Sequence, residues 1–324
     1  MKSFLVTGGA GSIGSYVCEY LIAGGHQVTA LDNGPSLKVE HLFDSGRFKF
    51  VQDSVLVKDV VERLVDQNDV VIHLAAIADP KRYVNEPLNV LNVNLKGSLG
   101  LLDRCSRQGK RFVFASTSEV LGKNPHVPWK EDADRLLGPP NINRWCYSTG
   151  KALIEHYCYA YGQQEELPFV IMRFFNVYGP RCDDLGQGRV IPIFLEKFLK
   201  GQPVVVHGDG SQTRCFTYIE DTAQAVVDLA LSDKALGMCF NIGSDRETSI
   251  LELAQAMKKA GGFSNELIYQ THLEVFGKSY EDIPRRIPDV SRIKDVIGWQ
   301  ATTSLEDGLK KTIDFYRPIV RSGA

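Results

Sequence analysis

Thr7-Gly8-Gly9-Ala10-Gly11-Ser12-Ile13-Gly14 follows directly on the short apolar run Phe4-Leu5-Val6 and leads into a segment with helical spacing. A glycine-rich turn between a first strand and a first helix lets the backbone approach a diphosphate closely. The unpaired amides and the dipole of the helix N-terminus then hold its charge. This placement predicts a dinucleotide site built from Gly8, Gly11, Ser12, Ile13 and Gly14 and, with it, a sheet of parallel strands.

Working outward, the runs at 27–31, 48–51, 70–73, 111–115 and 169–172 are short, apolar and rich in β-branched or aromatic residues. Strands of this kind are buried on both faces, as in a sheet flanked by helices. The intervening segments at 12–23, 59–67, 89–108 and 145–162 have helical periodicity. The expected fold is therefore α/β, a Rossmann-like doubly wound parallel sheet. After about residue 176 turns become frequent and helices scattered, which predicts a smaller mixed α/β lobe for substrate. We place a cofactor domain at 1–175 and a substrate lobe at 176–324, packed tightly and interleaved, because no linker or charge block separates them. A ligand cleft is expected between them.

Asp32 and Asn33 close the second strand, where a carboxylate accepts hydrogen bonds from an adenosine ribose. No Arg or Lys stands beside Asp32 to receive a 2′-phosphate, which favours NAD over NADP. Capping of a turn is the alternative role for Asp32. Asp53 and Ser54 lie after the third strand, within reach of the adenine edge or in a plain loop.

The 324 residues carry 37 basic and 39 acidic side chains, a net charge of −2, so no overall field attracts nucleic acid or an anionic membrane. The opening Met1–Val6 stretch leaves no room for a secretory leader, and no apolar run reaches the length of a membrane span. Seven cysteines, odd in number and without a C-x-x-C pair, predict reduced thiols in the cytoplasm and no zinc; the histidines show no metal-ligand spacing.

Two further stretches carry chemistry. Tyr147 and Lys151 are four apart, hence on one face of a helix, and a nearby ammonium stabilises a phenolate. Phe114-Ala115-Ser116-Thr117-Ser118-Glu119 ends an apolar strand with hydroxyls and a carboxylate, at the edge where α/β sheets process ligands. Thr117 can bond a reacting oxygen, and Glu119 can act as acid, base or orienting group.

Taken together, the Gly-rich loop, His73-Leu74-Ala75-Ala76, Ser116-Thr117-Ser118-Glu119, Tyr147-x-x-x-Lys151 and Arg173-Phe174-Phe175-Asn176-Val177-Tyr178-Gly179-Pro180 resemble the extended short-chain dehydrogenase/reductase family. The resemblance spans essentially the whole chain. It implies an NAD-dependent enzyme acting on a nucleotide-diphosphate sugar through a 4-keto intermediate, with Leu74, Ala75 and Ala76 along the cofactor. It further implies Tyr147 as base, Lys151 on the nicotinamide ribose and lowering the tyrosine pKa, and Thr117 on the sugar 4-hydroxyl. Ser118, Asn176, Arg189 and Arg214 would bind substrate. The helices at 89–108 and 145–162 would form a homodimer.

Within that family the chain is most similar to UDP-glucuronate decarboxylases, through Thr117-Ser118-Glu119, Arg144-Trp145-Cys146-Tyr147-Ser148 and Arg286 ahead of Pro288-Asp289. Decarboxylation of UDP-glucuronic acid is the leading expectation, with Arg286 catalytic or a diphosphate ligand, and a UDP-sugar or UDP-uronate 4-epimerase is the alternative. A 4,6-dehydratase is disfavoured because Ser118 stands where those enzymes carry an Asp. Leu121 replaces a tyrosine usual in relatives, which predicts a reshaped sugar pocket.

Overall fold

The computed structural model describes residues 1–182, 184–186, 188–270, 283 and 285–321. Six strands from the first half, β1 (Ser3–Thr7), β2 (Gln27–Asp32), β3 (Phe48–Gln52), β4 (Val70–His73), β5 (Arg111–Thr117) and β6 (Phe169–Phe174), form a parallel sheet in the order 6-5-4-1-2-3. A seventh, β11 (Met238–Ile242), pairs parallel with β6. The sheet thus contains a strand from the C-terminal part, and the two parts of the chain share it.

Alternation along the strands supplies both faces. Phe4, Val6, Ile72 and Val113 pack on one side with Val17 and Leu21 of α1 (Ser12–Ala23) and Val226 of α8 (Ile219–Leu231). Leu5, Val71, Phe112 and Phe114 pack on the other, with Leu64 of α2 (Lys58–Asp66), Leu101 of α5 (Gly97–Arg107) and Ile154 of α6 (Cys146–Glu165). Every residue in these two layers is buried, which is why the strands read as apolar runs. The strand order reverses between β1 and β4, where ligands of open α/β sheets bind beyond the carboxyl ends of the strands.

The C-terminal part adds small sheets. β9 (Thr213–Cys215) lies between β12 (Glu247–Ser249) and β14 (Arg285–Arg286), and the parallel register of β14 on β9 sets Arg286 beside Arg214.

The segment 89–108 differs from the single helix its periodicity predicts. It consists of α4 (Pro87–Leu91), one π-helical turn (Asn92–Lys96) and α5. Asn94 explains the break. Its side chain accepts from Ile77 N at 2.8 Å and donates to Ile77 O at 3.0 Å, pulling the turn toward the loop after β4.

The same region buries His73. Ser98 Oγ donates to Asn94 O, so His73 Nε2 donates to Ser98 Oγ at 2.8 Å, while Thr7 Oγ1 lies 2.6 Å from Nδ1. Burial, helped by the charge of Lys151, pushes the imidazole down to about 3 from 6.5. Between those values an unfolded chain takes up a proton that the folded one refuses. Stability from this group is therefore complete above pH 6.5 and falls on acidification, by up to about 1.4 kcal/mol per pH unit. Urea unfolding at pH 7 and 4.5 should show a drop in stability about 2–3 kcal/mol larger for the natural protein than for His73→Gln.

Candidate active site

The first turn of α1 starts at Gly11, which makes no side-chain cap and leaves amides for a ligand oxygen. Glycine is required here for close approach. A β-carbon on Gly14 would stand 2.0 Å from Gly8 O, and one on Gly8, whose φ is +71°, would stand 2.7 Å from Ala75 N. The β1 turn and the β4 loop therefore touch backbone to backbone, forming a cradle that side chains would fill.

A cleft of about 700 Å³ opens above this contact. Its walls include Gly8, Gly11, Ser12, Ile13 and Gly14 from the first turn, and Asp32, Asn33, Asp53 and Ser54 from the ends of β2 and β3. Leu74, Ala75 and Ala76 line it beyond β4. The position of Asp32 is compatible with both roles that the sequence left open. Its carboxylate lines the cleft and also accepts from Ala10 N at 3.0 Å and Gly34 N at 2.9 Å, with acceptor capacity remaining for a ribose. Asp53 turns Oδ1 to Ser54 N at 2.7 Å and borders the same space. The residues fit a dinucleotide.

Across the cleft, Thr117, Ser118 and Glu119 stand at the end of β5, and Tyr147 and Lys151 project from the first turns of α6. Lys151 is buried and donates to Ala115 O at 2.7 Å. Burial pushes its ammonium down to about 7, against the upward pull of Glu155. The Tyr147 ring stacks on Tyr83, with centroids 4.5 Å apart. Its hydroxyl is raised above the usual phenol range, by burial first and by the charge of Glu119 next, while Arg189 and hydrogen bonds with Tyr83 and Thr117 pull it down. This differs from the expected lowering by Lys151. The ammonium is directed at the Ala115 carbonyl, 6.0 Å from the Tyr147 ring centroid, so desolvation of the phenol dominates.

Glu119 is held by two arginines. Arg144 Nη1 lies 3.2 Å from Oε2 and Arg286 Nη1 lies 3.5 Å from Oε1, with all three side chains largely buried. Glu119 is therefore an ion-paired carboxylate. Arg286 Nε is buried with no hydrogen-bond partner among the described residues. Such an atom is costly unless a ligand satisfies it.

Asn176, Arg189 and Arg286 border both this cleft and a second cavity of about 460 Å³, where Arg214 lies. Asn176 Nδ2 donates to Cys215 O at 3.1 Å, and Arg214 Nη1 to Thr213 O at 2.7 Å, fixing both against β9. Leu121 stands back from the cleft. It is buried in an apolar cluster with Trp129 and Phe175 and is not among the residues lining the cleft. Arg144 and Tyr83 were missed as site residues. Arg144, three positions before Tyr147, had a local helical signal, whereas Tyr83 reaches Tyr147 only through the tertiary fold.

A family model described as the NAD dependent epimerase/dehydratase family matches residues 4–243. The chain belongs to this family.

Among relatives of this NAD dependent epimerase/dehydratase, a UDP-N-acetyl-alpha-D-glucosaminuronate decarboxylase of Bacillus cytotoxicus is 40% identical over 321 residues, 98% of each chain. UDP-glucuronic acid decarboxylase 1 of Danio rerio is 36% identical over 318 residues, 97% of this chain and 72% of that one. A solved UDP-glucuronic acid 4-epimerase of Bacillus cereus, in complex with UDP-glucuronic acid and NAD, superposes with a TM-score of 0.85 at 29% identity, covering 98% and 99% of the two chains. The protein is an NAD-dependent enzyme of the extended short-chain dehydrogenase/reductase type. Among the described residues no helix is long and apolar enough to cross a membrane.

Proposed function

We propose that this enzyme decarboxylates a UDP-linked hexuronate. The observation that carries this reading is Arg286, which borders both cavities, is ion-paired to Glu119 and has a buried Nε without a partner among the described residues. A guanidinium there suits a substrate carboxylate or diphosphate.

The cofactor residues come from 1–175, whereas Asn176, Arg189, Arg214 and Arg286 come from 176–324; we assign nucleotide-sugar binding to the latter part. NAD⁺, when bound, would supply the acceptor for a hydride from sugar carbon 4 and, once reduced, the donor that returns it. Tyr147 takes the proton of the 4-hydroxyl as the phenolate, the form that the positive charge of a bound oxidised nicotinamide would favour, with Thr117 holding that oxygen. The resulting ketone is β to the carbon 6 carboxylate, so the C5–C6 bond breaks, its electron pair moves into an enolate whose oxygen Tyr147 and Thr117 bond, and carbon dioxide leaves; a proton from water then goes to carbon 5 and restores the 4-ketone, the group that can take the hydride back. Lys151 would hold the nicotinamide ribose, while Ser118 and Glu119 would orient the sugar.

A homodimer belongs to this reading. Val84, Leu88, Leu153 and Tyr157, on the short helix Pro80–Asn85, α4 and α6, are exposed apolar side chains that support it. Seven free cysteines support a cytoplasmic setting.

The test incubates the purified protein and NAD⁺ with UDP-glucuronic acid and, separately, UDP-N-acetylglucosaminuronic acid, followed by mass spectrometry and proton NMR. We expect one of them to lose carbon dioxide. Unchanged mass with inverted carbon 4 would establish the 4-epimerase instead, in keeping with the superposition on a UDP-glucuronic acid 4-epimerase.

A further inference from the structure

Two non-glycine residues among those described have positive φ, Glu166 at 54° and Arg181 at 60°. Glu166 terminates α6, a usual place for a left-handed residue. Arg181 caps no helix. It sits in the turn after β7 (Val177–Tyr178), where its own β-carbon disfavours the conformation, so contacts made by this turn must hold it.

Besides the bond within the turn from Cys182 N to Gly179 O, contacts of this turn reach the cofactor side of the molecule. Arg181 grips Glu19 of α1 with both terminal nitrogens, at 2.6 and 3.2 Å, and donates from Nη1 to Lys38 O at 3.1 Å. Its guanidinium carbon lies 3.9 Å from the centroid of the Tyr16 ring. On either side, Tyr16 OH donates to Pro180 O at 3.3 Å and Ser12 Oγ donates to Cys182 O. His41 Nε2, 2.6 Å from Glu19 Oε1, adds a second tie from the 36–45 segment. Three consecutive residues thus fasten one turn to α1, and Arg181 extends the fastening to the segment that follows Asp32 and Asn33.

Ser12, Asp32 and Asn33 line the cofactor cleft, while Cys182 lines the adjoining cavity. A dinucleotide held by the first turn of α1 and by the end of β2 leaves when those two walls fluctuate apart. Arg181 ties both walls to a third element through a bidentate ion pair and a stacked ring, so the opening must break them together. We propose that Arg181 is a positioning residue that retains the bound dinucleotide in its cleft.

The test loads the full chain with NADH and follows loss of its fluorescence on mixing with excess NAD⁺. Arg181→Ala should release NADH at least about tenfold faster than the natural protein. Arg181→Lys, which keeps the charge without the planar fork, should fall between them. Glu19→Gln should accelerate release in the same direction, and it carries the test if Arg181→Ala does not fold. A merely structural role would lower the thermal midpoint of the cofactor-free protein without accelerating release. Release within twofold of the natural rate in both Arg181→Lys and Glu19→Gln would overturn the proposal.

Discussion

Tyr147→Phe should lower turnover by about a thousandfold while leaving the fold and NADH binding in place, because it deletes one oxygen at the point where the proton leaves the sugar. Most of what holds this side chain is its ring, stacked on Tyr83, and phenylalanine keeps that contact. What is lost is a hydroxyl tied to Thr117 at the carboxyl end of β5. General acid-base groups contribute roughly 10²–10⁴ in rate, and the upper part of that range applies where no other base is at hand. Glu119 is engaged by Arg144 and Arg286, and the Lys151 ammonium donates to Ala115 O, so neither replaces the phenol. Single-turnover reduction of NAD⁺, read at the nicotinamide absorbance, isolates the step. Retention of a tenth or more of the natural rate would remove Tyr147 as the base.

Arg286→Met should lower kcat/KM for the uronate substrate by about a hundredfold, since losing a charged hydrogen bond in a largely buried site costs about 1.5–3 kcal/mol and the rest comes from Glu119 losing one partner. The comparison that gives this meaning is binding of UDP and of UDP-glucose, measured calorimetrically on the same variant. If Arg286 recognises the carboxylate, UDP and UDP-glucose keep their affinity within a few-fold. If Arg286 serves the diphosphate beside Arg214, its neighbour on β9, all three ligands weaken together. Equal weakening would withdraw the principal support for decarboxylation and leave the shared chemistry of Thr117 and Tyr147 untouched.

The cofactor half of the site was legible because its determinants are local. A strand, a glycine turn and a helix N-terminus are contiguous in Phe4–Gly14, and Gly8, Gly9 and Gly14 each answer to a close approach that excludes a β-carbon. Tyr147 and Lys151 were legible for the same reason, being one helical turn apart. Asp32 was only half legible. Ribose ligand and turn cap were both open from spacing, and the folded carboxylate borders the cleft while capping the loop.

The electrostatics were not legible. Spacing implied an ammonium next to a phenol, whereas the depth at which β5 and α6 pack desolvates both, driving Lys151 down and Tyr147 up. The break in 89–108 escaped periodicity too, because its cause is a side chain bonded to Ile77 on another element.

By itself, then, the sequence determined the doubly wound sheet, the dinucleotide loop and the Tyr147–Lys151 pair, which depend on periods and spacings within a few turns of chain, while Thr117 joined that pair through the family resemblance. Only the tertiary structure decided that Glu119 sits between Arg144 and Arg286, that Arg286 runs beside Arg214, and that Arg181 fastens the substrate side to α1. Those pairings join residues far apart in the chain, and their energies depend on distance and burial, which packing sets and no local pattern records.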